Sequence, residues 1–121
     1  RSRYTFGTLG KLYLDGPSLM VLGELDVIVQ DFAASTSPRR TQLASYLGVT
    51  RWLTTGVMLT FAYERFDQDL VASATFRDAY RLELQFFPWA HWELHTLAKL
   101  EFQGEYEDPT ALALMMLHYY L

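Results

Sequence analysis

Cysteine is absent from the 121 residues, which excludes a disulfide scaffold and thiol chemistry. Long apolar runs are missing too. None approaches the roughly 18–20 residues that a membrane helix needs. Basic residues are few: 10 Lys and Arg against 14 Asp and Glu, a net charge of −4, with no basic cluster beyond Arg39-Arg40. That balance argues against a nucleic-acid partner. No signal peptide is visible, and the chain opens on Arg1 rather than Met, so a processed or cut N-terminus, or a missing preceding segment, is expected. What the chain does have is apolar and aromatic surface, 50% and 16% of residues, within the length of one domain.

The stretch His91–Phe102, HWELHTLAKLEF, sets two histidines four apart. On a helix that spacing holds zinc, but the zinc-protease pattern needs Glu directly after the first His, and here Trp92 stands there. The stretch follows a different period. Trp92, Leu94, Ala98, Leu100 and Phe102 alternate with His91, Glu93, His95, Lys99, Glu101 and Gln103. A two-residue period is a strand's signature and not a helix's. His91, Glu93 and His95 would share a face of that strand, and a polar face explains them without a metal.

The same period recurs. Leu19, Val21, Leu25, Val27 and Val29 alternate with Glu24, Asp26 and Gln30. Leu43, Leu47 and Val49 oppose Gln42, Tyr46 and Thr50, and Leu53, Val57, Leu59, Phe61 and Tyr63 oppose Met58, Ala62 and Glu64. Tyr80, Leu82, Leu84 and Phe86 oppose Arg81, Glu83 and Gln85. The first segment sets Tyr4, Phe6, Leu12 and Leu14 against Thr5, Gly7 and Lys11, and the last is apolar on both faces except for His118. The reading is all-β: seven strands at about 3–14, 18–31, 40–50, 53–65, 72–87, 90–104 and 110–121, in one segment covering 1–121. Tight connections fall at Asp15–Ser18, Thr50–Trp52 and Phe87–Ala90, with Pro17 and Pro88 as turn residues. Longer ones fall at Phe32–Arg39, Phe66–Val71 and Gly104–Pro109. Short and long alternate, so an antiparallel meander has its short turns at one end and its long loops at the other.

Alternation leaves open which face is inside. A soluble lipocalin-like barrel puts apolar residues in and binds an apolar ligand there, whereas a membrane barrel puts them out. Three features favour the second. The polar face mixes charges of both signs with Gly48, Ala44, Ala62 and Tyr46, as a crowded interior does. Aromatics gather near strand ends, Trp52, Phe86, Phe87, Trp89 and Trp92 at one end and Tyr63, Phe66 and Phe102 at the other. Leu19–Val29, Leu53–Tyr63 and Trp92–Phe102 reach the 9–11 residues of a membrane strand, beyond the five or six usual in soluble sheets.

On these residues the chain resembles the bacterial outer-membrane β-barrel class. The closing LMMLHYYL, with Met115, Leu117, Tyr119 and Leu121 at alternate positions, is similar to the C-terminal strand that the barrel assembly machinery reads, though that class usually ends on Phe. The resemblance implies an antiparallel up-and-down transmembrane barrel in a Gram-negative outer membrane, with short turns and the C-terminus periplasmic. Its partners would be the lipid bilayer and the assembly machinery, with further strands or a luminal or periplasmic protein in addition. Seven strands place Arg1 at the long-loop side, while a complete bacterial barrel has an even number, so a further strand ahead of Arg1 and a larger barrel are expected.

The expected lumen lining is Lys11, Glu24, Asp26, Gln30, Gln42, Tyr46, Glu64, Arg81, Glu83, Gln85, Glu93, His95, Lys99, Glu101, Gln103 and His118. The expected aromatic girdle is Trp52, Tyr63, Phe86, Trp89, Trp92, Phe102 and Tyr119. The function expected is a porin-like pore or a scaffold, and acidic luminal residues outnumbering basic ones would favour cations. No cofactor, metal or catalytic residue is expected. A barrel-borne lipid enzyme would need a nucleophile such as Ser45 or Ser73 near His91, His95 or His118, but no G-x-S-x-G surrounds any serine and Ser45 falls on the apolar side. Arg39-Arg40 reads as a solvated loop pair able to touch lipopolysaccharide phosphates. Glu105–Pro109 reads as a solvated turn without the EF-hand spacing for calcium.

Overall fold

The computed structural model describes residues 2–31, 39–72, 75–104 and 108–121. It contains seven strands: β1 (Ser2–Leu14), β2 (Leu19–Asp31), β3 (Arg39–Thr54), β4 (Val57–Asp67), β5 (Phe76–Phe86), β6 (Trp92–Gln103) and β7 (Thr110–Tyr119). They form one antiparallel sheet in the order β1-β2-β3-β4-β5-β6-β7. Strands pair only with their sequence neighbours. The sheet is open, with β1 and β7 as its edges. The region Glu105–Glu107, Ser73 and the segment 32–38 lie outside the described residues, and with them most of the acidic Glu105–Pro109 turn and one of the two candidate serines.

Residues directly opposite in an antiparallel pair share a face, so the registers give the two faces row by row. One row runs Leu12, Val21, Val49, Phe61, Leu82, Ala98, Ala113 across all seven strands, apolar throughout. A row on the other face runs Leu9, Glu24, Tyr46, Glu64, Ala79, Glu101, Thr110.

The short turns all lie at one end, and backbone hydrogen bonds join each to the next structure along. Trp52 N donates to Ser18 O (3.0 Å), Phe87 N to Gly56 O (2.8 Å) and Tyr120 N to His91 O (2.8 Å). At the long-loop end, Asp67 organises the β4–β5 connection. Its Oδ1 accepts the Thr75 hydroxyl (2.7 Å) and the Asp69 N–H (3.1 Å), and Leu70 N reaches back to Thr41 O on β3 (2.9 Å).

Several expected boundaries move. The second tight turn is Thr55-Gly56, not Thr50–Trp52, and Gly56 takes the left-handed φ of +77° that the turn requires. β3 therefore keeps pairing with β4 through Arg51 and Trp52, with a register shift between Trp52 and Thr54. β5 begins at Phe76 rather than near 72, and the Thr75 hydroxyl just ahead of it is bonded back to Asp67 at the end of β4. Arg39 and Arg40 open β3 instead of sitting in a loop, and Arg40 Nε lies 3.8 Å from Asp69. His91, at φ 70°, belongs to the turn before β6 and leaves the face that Glu93 and His95 share.

Among the described residues there is no second layer, and burial is reversed from that of a soluble domain. The buried apolar residues among them are Ala62 and Ala79, both in polar-face rows. Large apolar side chains stay open on the other face, among them Phe61 at 49% and Leu82 at 48% exposure. On the polar face Glu93 is only 4% exposed. One face is crowded and the other spread, as in a curled sheet with its polar face on the inside.

Candidate functional site

The polar face is built by β1 to β7 around a floor of small residues. Gly48, Ala62 and Arg81 lie in one row, and Ala79 sits in the next. The small positions leave room for long neighbours. The Tyr46 ring lies over Gly48, in the space a side chain there would need. The Arg81 guanidinium lies 5.8 Å from the centre of that ring, within cation–π range.

Ion pairs then run unbroken across three strands. Arg77 Nε meets Glu101 (3.1 Å), Glu101 meets Lys99 Nζ (3.0 Å), and Lys99 meets Glu64 (3.7 Å). Glu64 also holds Arg81 Nη1 (3.1 Å) and Arg81 Nε stands 2.6 Å from Glu83, whose other oxygen is within hydrogen-bond distance of His95 Nε2 (3.0 Å). Arg81 Nε is poorly aligned on Glu83, so that contact is ionic rather than directional. Single pairs this exposed contribute at most about 1 kcal/mol. The ribbon's larger effect is to fix the orientation of many side chains together.

A second cluster centres on Glu93. It accepts Gln85 Nε2 (3.1 Å), lies 3.4 Å from His118 Nδ1, and accepts the hydroxyl of Tyr120 from beyond the end of β7. That hydroxyl is held above the ordinary tyrosine pKa, chiefly because it donates to the Glu93 carboxylate.

Every residue expected to line a lumen falls on this one face, from Lys11 on β1 to His118 on β7. The registers add Arg3, Arg40 and Arg77, each opposite a polar-face residue: Gln30 for the first two and Gln103 for the third. Extending the alternation outward from Lys11, Gln42 and Arg81 would have found them. With these three, the described residues put six carboxylates and six arginines or lysines on the face, so the expected cation preference loses its basis in net charge. A shallow cavity of about 370 Å³ opens here, lined by Glu24, Asp26, Tyr46, Glu64, Arg77 and Lys99 among others.

The apolar face carries aromatics toward both ends. At the long-loop end Tyr63 lies opposite Tyr80 and Phe102 stands diagonally from Tyr80, with ring centroids 5.3 and 6.1 Å apart. Beyond it, Asp78 accepts the Tyr63 hydroxyl (2.8 Å) and pairs with Arg65 (3.5 Å). At the short-turn end Trp92 packs on Tyr119 at 5.0 Å, with Phe86 opposite Leu94 nearby. Trp89 sits in the turn, 74% exposed. Trp52 departs from the expected girdle. It pairs with Met58 and so falls on the polar face, because β3 continues past the place where a turn was expected.

Among the described residues, the candidate serine does not meet the strand histidines. Ser45 lies opposite Leu25 and Arg65 on the apolar face, while His95 and His118 are on the other side of the sheet. Among the described residues no three of His, Cys, Asp and Glu gather as metal ligands. No family model matches this chain, and neither a curated protein nor a solved structure matches it.

Proposed function

We propose that the sheet is part of the wall of a bacterial outer-membrane β-barrel that acts as a pore or a scaffold, with its apolar face toward lipid and its polar face toward the lumen. The observation that carries this reading is the reversed burial: Phe61, Leu82 and Leu47 are about half exposed, while Glu93 is covered. In water such a continuous apolar surface exceeds what monomeric proteins expose. In a bilayer it is the surface that contacts acyl chains, and the charge ribbon is the wet or filled interior. From Trp92 to Phe102 along β6 spans about 33 Å at 3.3 Å per residue, or about 25 Å along the membrane normal at a 40° tilt. That matches the height of a barrel's apolar band. The lipocalin-like alternative would need the apolar rows on the crowded side.

Because the chain lacks cysteine, single-cysteine nitroxide labelling tests the reading directly. Spin labels at Leu82 and Leu84 should collide with oxygen as lipid-exposed sites do, and labels at Arg81 and Gln85 should not. Shielded apolar positions, in a protein that stays in solution without detergent, would establish the soluble ligand-binding reading instead. Planar-bilayer recordings of the extracted protein then separate the two roles. Conductance steps mean a pore, and silence means a scaffold.

A further inference from the structure

We propose that the open edge of β1 pairs with a single antiparallel strand that places carboxylates on the polar face beside Arg3 and Lys11, and that neither β7 nor a second copy of this chain supplies it. The inference rests on the membrane reading in one respect. Lipid offers no water to satisfy an open edge.

The edge is long and unprotected. All of β1's 13 residues are exposed, and its register with β2 runs without a shift from Ser2 to Leu14. Alternate N–H and C=O groups therefore point outward along its whole length. Soluble proteins blunt such an edge with proline, a bulge or a short strand. β1 contains no proline and no bulge.

Direction narrows the partner. With seven antiparallel strands in sequence order, β1 and β7 run the same way. Joining them would make a parallel seam. A copy inserted in the membrane with the same orientation offers only β1 or β7 edges, which also run parallel to β1. The partner strand therefore runs from the short-turn end to the long-loop end.

Charge narrows it further. Arg3 and Lys11 share the polar face, eight residues apart. Among the described residues no carboxylate lies within ion-pair distance of either. Glu24, one row from Lys11 on β2, makes no ion pair with it, Asp26 is turned over Gly7, and Lys11 Nζ rests 4.8 Å over the Tyr13 ring. β7 presents Leu112 and Leu114 on that face, which cannot neutralise them. A partner with two carboxylates about eight residues apart on one parity, and apolar residues on the other beside Tyr4, Phe6 and Leu12, meets every requirement.

The test places benzoylphenylalanine at Tyr4 or Leu12 of the native protein in its own membrane and maps the photoproducts by mass spectrometry. The expected result is one partner segment, with the Leu12 product lying about eight residues before the Tyr4 product in that segment's sequence, as antiparallel pairing requires. Lys11→Glu should then cut the Leu12 product severalfold, and changing the facing carboxylate to lysine should restore it. The reverse order, a link to β7 or to another copy, no product from either position, or no effect of the charge reversal would overturn the inference. The readout is independent of oxygen accessibility at Leu82. An antiparallel partner on a protein that never enters lipid would uphold this inference and sink the proposed function.

Discussion

Tyr46 lies flat over Gly48, two residues further along β3, and fills the space where a side chain would stand. The glycine's backbone is ordinary, so the requirement is steric. Gly48→Val should push the ring off the sheet and loosen Arg81, which rests on it. Overpacking of this kind costs about 1–3 kcal/mol. Tyr46→Ala should recover part of the loss in the double variant, since the two side chains compete for one space. Urea unfolding of both single variants and the double variant gives the coupling, and strictly additive losses would refute the arrangement.

Glu64 is shared by Arg81 and Lys99, from two different strands. Glu64→Gln leaves both cations facing each other across one row. With the side chains about a third exposed, the loss should be near 1 kcal/mol rather than that of a buried pair. Adding Arg81→Gln should return most of it, and added salt should shrink the difference between Glu64→Gln and wild type. A loss insensitive to both would mean that Glu64 acts through packing alone.

The alternation of apolar and polar residues made most of this fold legible. Strands β2 to β6 each have two unlike faces, so a wrong register would have reversed every side chain on them. That is why Lys11, Glu64, His95 and His118, scattered in sequence, fall on one face together. The second turn was missed because Arg51 interrupts the alternation and resembles a break, whereas the backbone breaks at Gly56, where φ turns positive. Trp52 changed faces for the same reason. The sharing of Glu64 between β5 and β6 was not legible, since it depends on pairing across strands. Neither was the Glu93 cluster, since Tyr120 lies beyond the last paired residue.

Gly56 supplies the only left-handed residue of the Thr55-Gly56 turn, and its carbonyl accepts Phe87 N–H at 2.8 Å. An alanine there would hold an unfavourable φ and set its Cβ 3.0 Å from the Phe87 carbonyl oxygen. Gly56→Ala should cost about 1–2 kcal/mol, and Gly56→Asn less, because Asn tolerates this conformation. Equal stability of all three in denaturant titration would contradict the turn geometry.

Glu93 holds Tyr120 and His118 at the short-turn end of the sheet. The Tyr120 pKa is raised by its bond to that carboxylate. A raised pKa means that its contribution is complete below the usual tyrosine value of about 10 and is lost as pH climbs through the raised one. Glu93→Gln should bring Tyr120 back toward the ordinary tyrosine range in a tyrosinate absorbance titration, and Tyr120→Phe should remove its component from the curve. Curves that superimpose on wild type would break the link between these residues.

Leu82 stands mid-strand between the two aromatic ends, in the row Phe61, Leu82, Ala98. If its face meets lipid, position along the strand sets the price of a charge. Leu82→Arg should cost about 2–4 kcal/mol, near the bilayer midplane, while Phe86→Arg at the short-turn end should cost about 0–1 for the charge itself, apart from lost aromatic packing. Gln85→Arg, on the polar face beside the Glu93 cluster, should be tolerated. Reversible unfolding in lipid vesicles, followed by tryptophan emission, measures all three. An exposed surface in water would show no such gradient, because arginine at Leu82 would then be hydrated in the folded and unfolded chains alike. The ordering Leu82 above Phe86 above Gln85 therefore tests the apolar face as a depth-dependent surface, without reference to what the barrel transports or holds.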